Sequence, residues 1–108
     1  MSRAVAHTFA ALADPTRIHI VTRLSRGPAS VSELAEPHPM SLRAILKHVQ
    51  VLEDAGLVTT VKDGRVRRCS LQPARIDAAT HWIEQLRHRW ERRIDRLGEY
   101  AKDGGHHP

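Results

Sequence analysis

Three sets of residues in this 108-residue sequence have the types and spacing to do chemistry. The first is cationic and polar. Arg43, Lys47 and Gln50 fall on one side of a helical stretch, and Lys62, Arg65, Arg67 and Arg68 crowd a short segment whose single acid is Asp63. Guanidinium, ammonium and amide donors of this kind bond phosphate oxygens and the edges of bases. The second set is His81, Glu84, His88 and Glu91, whose 3, 4, 3 spacing puts imidazoles and carboxylates on one helix face. Such ligands suit a divalent transition metal such as zinc or nickel, and the competing reading is a solvated polar face. The third is one thiol, Cys69, read as a small buried hydrophobe on a strand rather than a redox switch. His7, His19, His38 and His48 are scattered, and His106 and His107 close the chain, so they are read as not belonging to one site.

Composition narrows the chemistry. The 17 lysines and arginines against 12 acids leave a net charge of +5, and the pI near 10.3 calls for an acidic partner, nucleic acid first. Only four aromatics occur, Phe9, Trp82, Trp90 and Tyr100, too few for the stacking platform of a single-strand binder. A single cysteine excludes an internal disulfide and a multi-cysteine zinc site, and it fits a reducing compartment. No glycine-rich phosphate loop or nucleophile elbow is present, so the chain is read as not an enzyme. No apolar run approaches the roughly 18 residues of a membrane span, and Met-Ser-Arg-Ala begins no signal peptide. The expectation is a cytoplasmic protein with no membrane partner. Its length suits one domain, expected over residues 1–102, with 103–108 as a flexible tail because of the two glycines.

The elements that must hold these residues are legible in the pattern. An alanine-rich helix from Arg3 to Ala13 is broken at Asp14-Pro15, and a second runs from Thr16 to Arg26 with Ile18, Val21 and Leu24 as its buried stripe and Ile20 beside it. Ser30-Val-Ser-Glu33 is a capping box for a short helix, Val31 to Glu36. Ser41 caps a fourth helix, Leu42 to about Ala55, which buries Leu42, Ile45, Val49 and Leu52 and turns Arg43, Leu46, Lys47 and Gln50 outward. Leu57 to Lys62 and Arg65 to Leu71 make a hairpin about Asp63-Gly64, read as a type I′ turn. Pro73 opens a last helix reaching Lys102, whose apolar stripe Ile76, Ala79, Ile83, Leu86, Trp90, Ile94, Leu97, Ala101 is longer than so small a core needs.

The fold class is therefore mainly α with a small β-hairpin wing, in the order ααααββα: a winged helix-turn-helix that closes into a homodimer. The fourth helix fits the major groove and the hairpin lies along phosphate. Trp82, Leu86, Trp90, Ile94 and Leu97 are the expected dimer interface, the other reading being that Trp90 closes its own subunit's core. Leu46 reads either as a contact to a thymine methyl or as an ordinary packing leucine.

The residues also resemble a family. Phe9-Ala-Ala-Leu-Ala-Asp-Pro-Thr-Arg17, Gly27-Pro-Ala-Ser-Val-Ser-Glu-Leu-Ala35, Met40-Ser41, Lys47-His48, Val51-Leu-Glu-Asp-Ala-Gly-Leu-Val58 and Gly64-Arg65 are similar to the ArsR (arsenical-resistance repressor) family of bacterial transcriptional regulators. That resemblance, over about residues 4 to 101, implies a homodimeric repressor on a palindromic double-stranded operator. It implies DNA contacts from Ser41, Arg43, Leu46, Lys47, His48 and Gln50. Where thiol-sensing relatives carry Cys-x-Cys, this chain has Ala35-Glu36-Pro37, so it falls with members lacking that motif. Arg43, Leu46 and Val49 depart from the usual recognition helix, so the operator sequence does not carry over. A metal-responsive regulator with an interfacial His/Glu site and a basic protein-interaction module on the same fold are the alternatives.

Overall fold

The structure, a computed structural model, describes residues 1–100. The expected end of the last helix at Lys102 and the expected tail lie outside them. Five helices and three short strands follow in the order α1 (Arg3–Leu12), α2 (Pro15–Leu24), β1 (Ala29–Ser30), α3 (Val31–Ala35), α4 (Leu42–Asp54), β2 (Val58–Asp63), β3 (Val66–Leu71) and α5 (Pro73–Tyr100).

Local hydrogen bonds explain most of the helix starts. Ser2, Asp14, Ser30 and Ser41 each accept a backbone N–H from three residues on, satisfying a donor that the first turn leaves orphaned. At α3 the bond is returned, because Glu33 Oε1 accepts the Ser30 N–H at 3.0 Å, completing the capping box. The C-terminus of α4 is closed by Gly56, at φ +77°: its N–H reaches Glu53 O at 2.9 Å and the Leu57 N–H reaches Leu52 O at 2.9 Å.

Three expectations need correction. The hairpin turn falls one residue later than Asp63-Gly64. Asp63 pairs with Val66, so the two loop residues are Gly64 and Arg65, and Gly64 alone has positive φ. That is a glycine-first turn rather than type I′, which needs positive φ at both. In α2 the inward side chains are Ile20 and Leu24, whereas Ile18 is half exposed. In α4 Leu42 is 53% exposed, and only Ile45, Val49 and Leu52 are fully buried. The two-residue β1 was not expected. It pairs antiparallel with β3, Ala29 opposite Cys69, to give a sheet in the order β1-β3-β2.

The core lies between α2, α3, α4 and the sheet, around Ile20, Leu24, Leu34, Ile45, Leu52, Leu57 and Val58. Cys69 is buried within it, and desolvation pushes its thiol up from the usual range, in keeping with its reading as a small hydrophobe. Only the first part of α5 packs on this body, against α1, with Ala79 buried and Trp82 edge-on to Phe9 at 5.6 Å. The rest projects, and the molecule measures 72 × 27 × 21 Å. No helix among the described residues is long and apolar enough to cross a membrane.

A Cβ at Gly56 would stand 2.8 Å from Arg75 Nε, on a backbone L residues rarely adopt. Gly56→Ala should therefore cost about 1 kcal/mol or more, read as a lower urea midpoint at unchanged m. An unchanged midpoint would show that the α4 terminus tolerates a side chain.

Candidate nucleic-acid interface

The apolar anchor of α4 sets what its other side can do. With Ile45, Val49 and Leu52 inside, Arg43, Lys47 and Gln50 stand exposed on one face, and none makes a side-chain hydrogen bond or ion pair among the described residues. Ser41 is exposed at the helix start, its Oγ held by the Ala44 N–H at 3.1 Å. Leu46 is half-buried at the edge of the apolar face, turned towards the hairpin, with Leu42 one turn before it.

Strand alternation divides the wing cations. Arg67 shares a sheet face with the buried Cys69, and its Nη1 donates to Thr60 Oγ1 at 3.4 Å, while Thr60 Oγ1 donates to Glu53 Oε2 at 3.0 Å. This chain of bonds ties the wing to α4. Arg68 points to the other face, opposite Val61, while Lys62 stands opposite Arg67 and Arg65 sits in the turn, all three exposed. Arg43, Lys47, Gln50, Lys62, Arg65 and Arg68 therefore present free groups around α4 and the wing, Ser41 is exposed beside them while capping α4, and Arg67 is tied to Thr60.

His48 is placed differently from the other expected contacts. It is half-buried on the side of α4 that faces the α1–α2 junction, where Arg17 Nη1 donates to its Nδ1 at 3.2 Å. Arg17 Nε also donates to Ala11 O at 2.6 Å, and its backbone N–H donates to Asp14 Oδ2 at 3.1 Å. One guanidinium thus joins the end of α1, the start of α2 and the recognition helix. Sequence reasoning identified Asp14-Pro15 as a break but missed Arg17. The readable part was the break; the reach to His48 spans 31 residues.

The last helix separates the remaining candidates. Trp82 is half-buried against its own α1, while Leu86, Trp90, Ile94 and Leu97 are uncovered, Trp90 at 60%. His81, Glu84, His88 and Glu91 do not converge. Arg87 Nη2 holds Glu84 at 2.8 Å and its Nε lies 3.4 Å from Glu91, so one guanidinium takes both carboxylates. His88 shares a hollow with Arg89 and Arg92, cations that oppose a bound metal ion. No group of three or more ligating residues fit for a metal occurs among the described residues, and the candidate set does not suit one within a single chain.

A short helix, a turn, a helix with a free polar face and a cationic hairpin beside it define a winged helix-turn-helix DNA-binding protein. Residues 12–61 match the family model described as a helix-turn-helix domain. The chain is 41% identical over 81 residues to the HTH-type transcriptional regulator Rv2034 of Mycobacterium tuberculosis, an alignment covering 70% of this chain and 76% of that one. It is 34% identical over 71 residues to a protein of Streptomyces lividans described as a probable mercury resistance operon repressor, covering 66% of this chain and 57% of that one. Its structure resembles the crystal structure of an ArsR family transcriptional regulator with a TM-score of 0.78 and 45% identity, covering 82% of this chain and 91% of that one. The chain belongs to the ArsR family and is a DNA-binding transcriptional regulator.

The junction has a pH signature. Asp14 is held below the ordinary carboxylate range, first by the Arg17 backbone N–H and then by the charge of the Arg17 guanidinium. Glu33 is held down chiefly by the Ser30 N–H. A lowered folded pKa contributes stability that is complete above the unfolded pKa and is lost as pH falls through the folded one. Unfolding midpoints should therefore drop below about pH 5, and Asp14→Asn, which still caps α2, should make that drop shallower. An identical acid limb in the variant would remove Asp14 from the account.

Proposed function

We propose that the chain is a homodimeric repressor that binds a palindromic operator, with α4 in the major groove and the wing on phosphate. The observation that carries this reading is the free polar face of Arg43, Lys47 and Gln50 set beside the exposed wing cations Lys62, Arg65 and Arg68. Base edges are read by the first group, which supplies specificity, and the backbone is held by the second, which supplies affinity. His48 and Arg67 act as positioning groups, one bracing α4 against the α1–α2 junction and the other bracing the wing against α4.

Dimerisation is assigned to the uncovered stripe of α5, where Leu86, Trp90, Ile94 and Leu97 are all about half exposed or more. A solvated apolar face of that length is covered at low cost by a second copy, and a two-fold axis makes the operator palindromic with half-sites about one duplex turn apart. Residues 1–102 then act as one unit for both tasks. Repression rather than activation is supported by similarity to the Streptomyces lividans protein.

Three variants test the reading. Replacing Arg65 and Arg68 by Ala should weaken every duplex and reduce the slope of log affinity against log salt by about 1 for each phosphate no longer held. Gln50→Ala should cost about 1–3 kcal/mol at the best sequence and little elsewhere. A double variant with the wild-type slope would remove the wing from the interface. Trp90→Asp places a charge in the seam and should sediment as a monomer with operator binding lost; a dimer of normal affinity would relocate the interface.

A further inference from the structure

The recognition helix carries something other than donors and acceptors. Leu42 and Leu46 stand one turn apart on its wing side and, with Arg65, Val66 and Arg67 of the hairpin and the first residues of α3, line an open hollow of about 310 Å³ between the two helices and the hairpin. Leu42 is 53% exposed and Leu46 half-buried, so the hollow has an apolar floor open to solvent. Its margins are cationic. Arg65 and Arg67 lie on the hairpin side, and Arg43 and Lys47 stand on the adjacent exposed face of α4. That charge rejects a second copy of this basic chain and suits a polyanion with an apolar group to offer.

In the major groove one such group exists, the C5-methyl of thymine, and a leucine neither donates nor accepts a hydrogen bond. We infer that Leu42 and Leu46 are specificity residues that recognise thymine methyl groups in each half-site. This rests on the DNA-binding reading above and adds the chemical identity of the bases read. The spacing agrees with the assignment: four helical residues rise about 6 Å, against about 3.4 Å per base step, so the pair addresses thymines one or two steps apart. The hydrogen-bonding residues Arg43, Lys47 and Gln50 read neighbouring positions, and the leucines reject cytosine, which offers an amino donor there and no methyl.

The test removes methyl groups and nothing else. A high-affinity duplex is selected from a random pool with the full-length protein, and each thymine is replaced in turn by deoxyuridine. Affinity is then measured at fixed salt. One or two positions per half-site should weaken about 4-fold, the effect of about 0.8 kcal/mol for one buried carbon. Other positions should stay within experimental scatter. The Leu42→Ala protein should lose the thymine-over-uracil preference at the position Leu42 reads, and Leu42→Ala/Leu46→Ala at every such position, both keeping the salt slope. Leu42 is exposed, so the single variant folds even if the double does not. A flat uracil scan on a duplex still bound with sequence preference overturns the methyl-reading role alone. A selection that yields no preferred duplex overturns both this inference and the operator reading beneath it.

Discussion

Everything that α4 presents depends on the direction in which α4 is held, and Arg17 is the side chain that joins it to the first two helices. A planar guanidinium offers several N–H donors in a fixed fork, so it can bond the Ala11 carbonyl and the His48 ring at once; an ammonium on a flexible stem lacks that geometry. Because Arg17 Nη1 is the donor, His48 Nδ1 is the acceptor and the ring proton sits on Nε2. Asp14, 3.9 Å from the same nitrogen, balances the charge at the junction. The apolar anchors Ile45, Val49 and Leu52 set the rotation of α4 about its axis, and Arg17, through His48, fixes its middle against α1 and α2. Glu53, Thr60 and Arg67 do the same for the wing, so both parts of the interface refer to one helix.

The second organising fact is the segregation along α5. Its 28 residues give a rod about 42 Å long, of which the body covers only the beginning. Beyond Trp82 one side carries Leu86, Trp90, Ile94 and Leu97, another carries Glu84 and Glu91 bridged by Arg87, and a third carries Arg89, Arg92, Arg93 and Arg96 around a shared hollow. Helices this long take most of their stability from tertiary contact, and the uncovered stripe supplies the surface for it. The arginine side is the one basic patch of the described residues that competes with α4 and the wing for an acidic partner.

What could be read from the sequence was what depends on neighbours in the chain. The caps at Ser30 and Ser41, the break at Asp14-Pro15 and the cationic hairpin are local chemistry, and each stands where its residues placed it. The misplacements arise where the deciding partner is remote. Leu42 continues the apolar spacing of α4 yet lies past the edge of the core, which periodicity alone does not mark. β1 is a strand only because β3 comes to lie beside it. His48 has the chemistry of a DNA contact and of a brace equally, and its bond to Arg17, 31 residues away, is one that no local pattern marks. The hairpin glycine was recognised, but register moved the turn by one residue.

The central claim is that α4 and the wing, rather than the arginine face of α5, meet duplex DNA. Backbone amide shifts of the labelled protein, followed as a selected operator duplex is added, test it most directly. The account predicts the largest changes at Leu42 to Gln50 and Lys62 to Arg68, with Arg89 to Arg96 unmoved. Changes concentrated on Arg89, Arg92, Arg93 and Arg96, with the recognition helix silent, would contradict it.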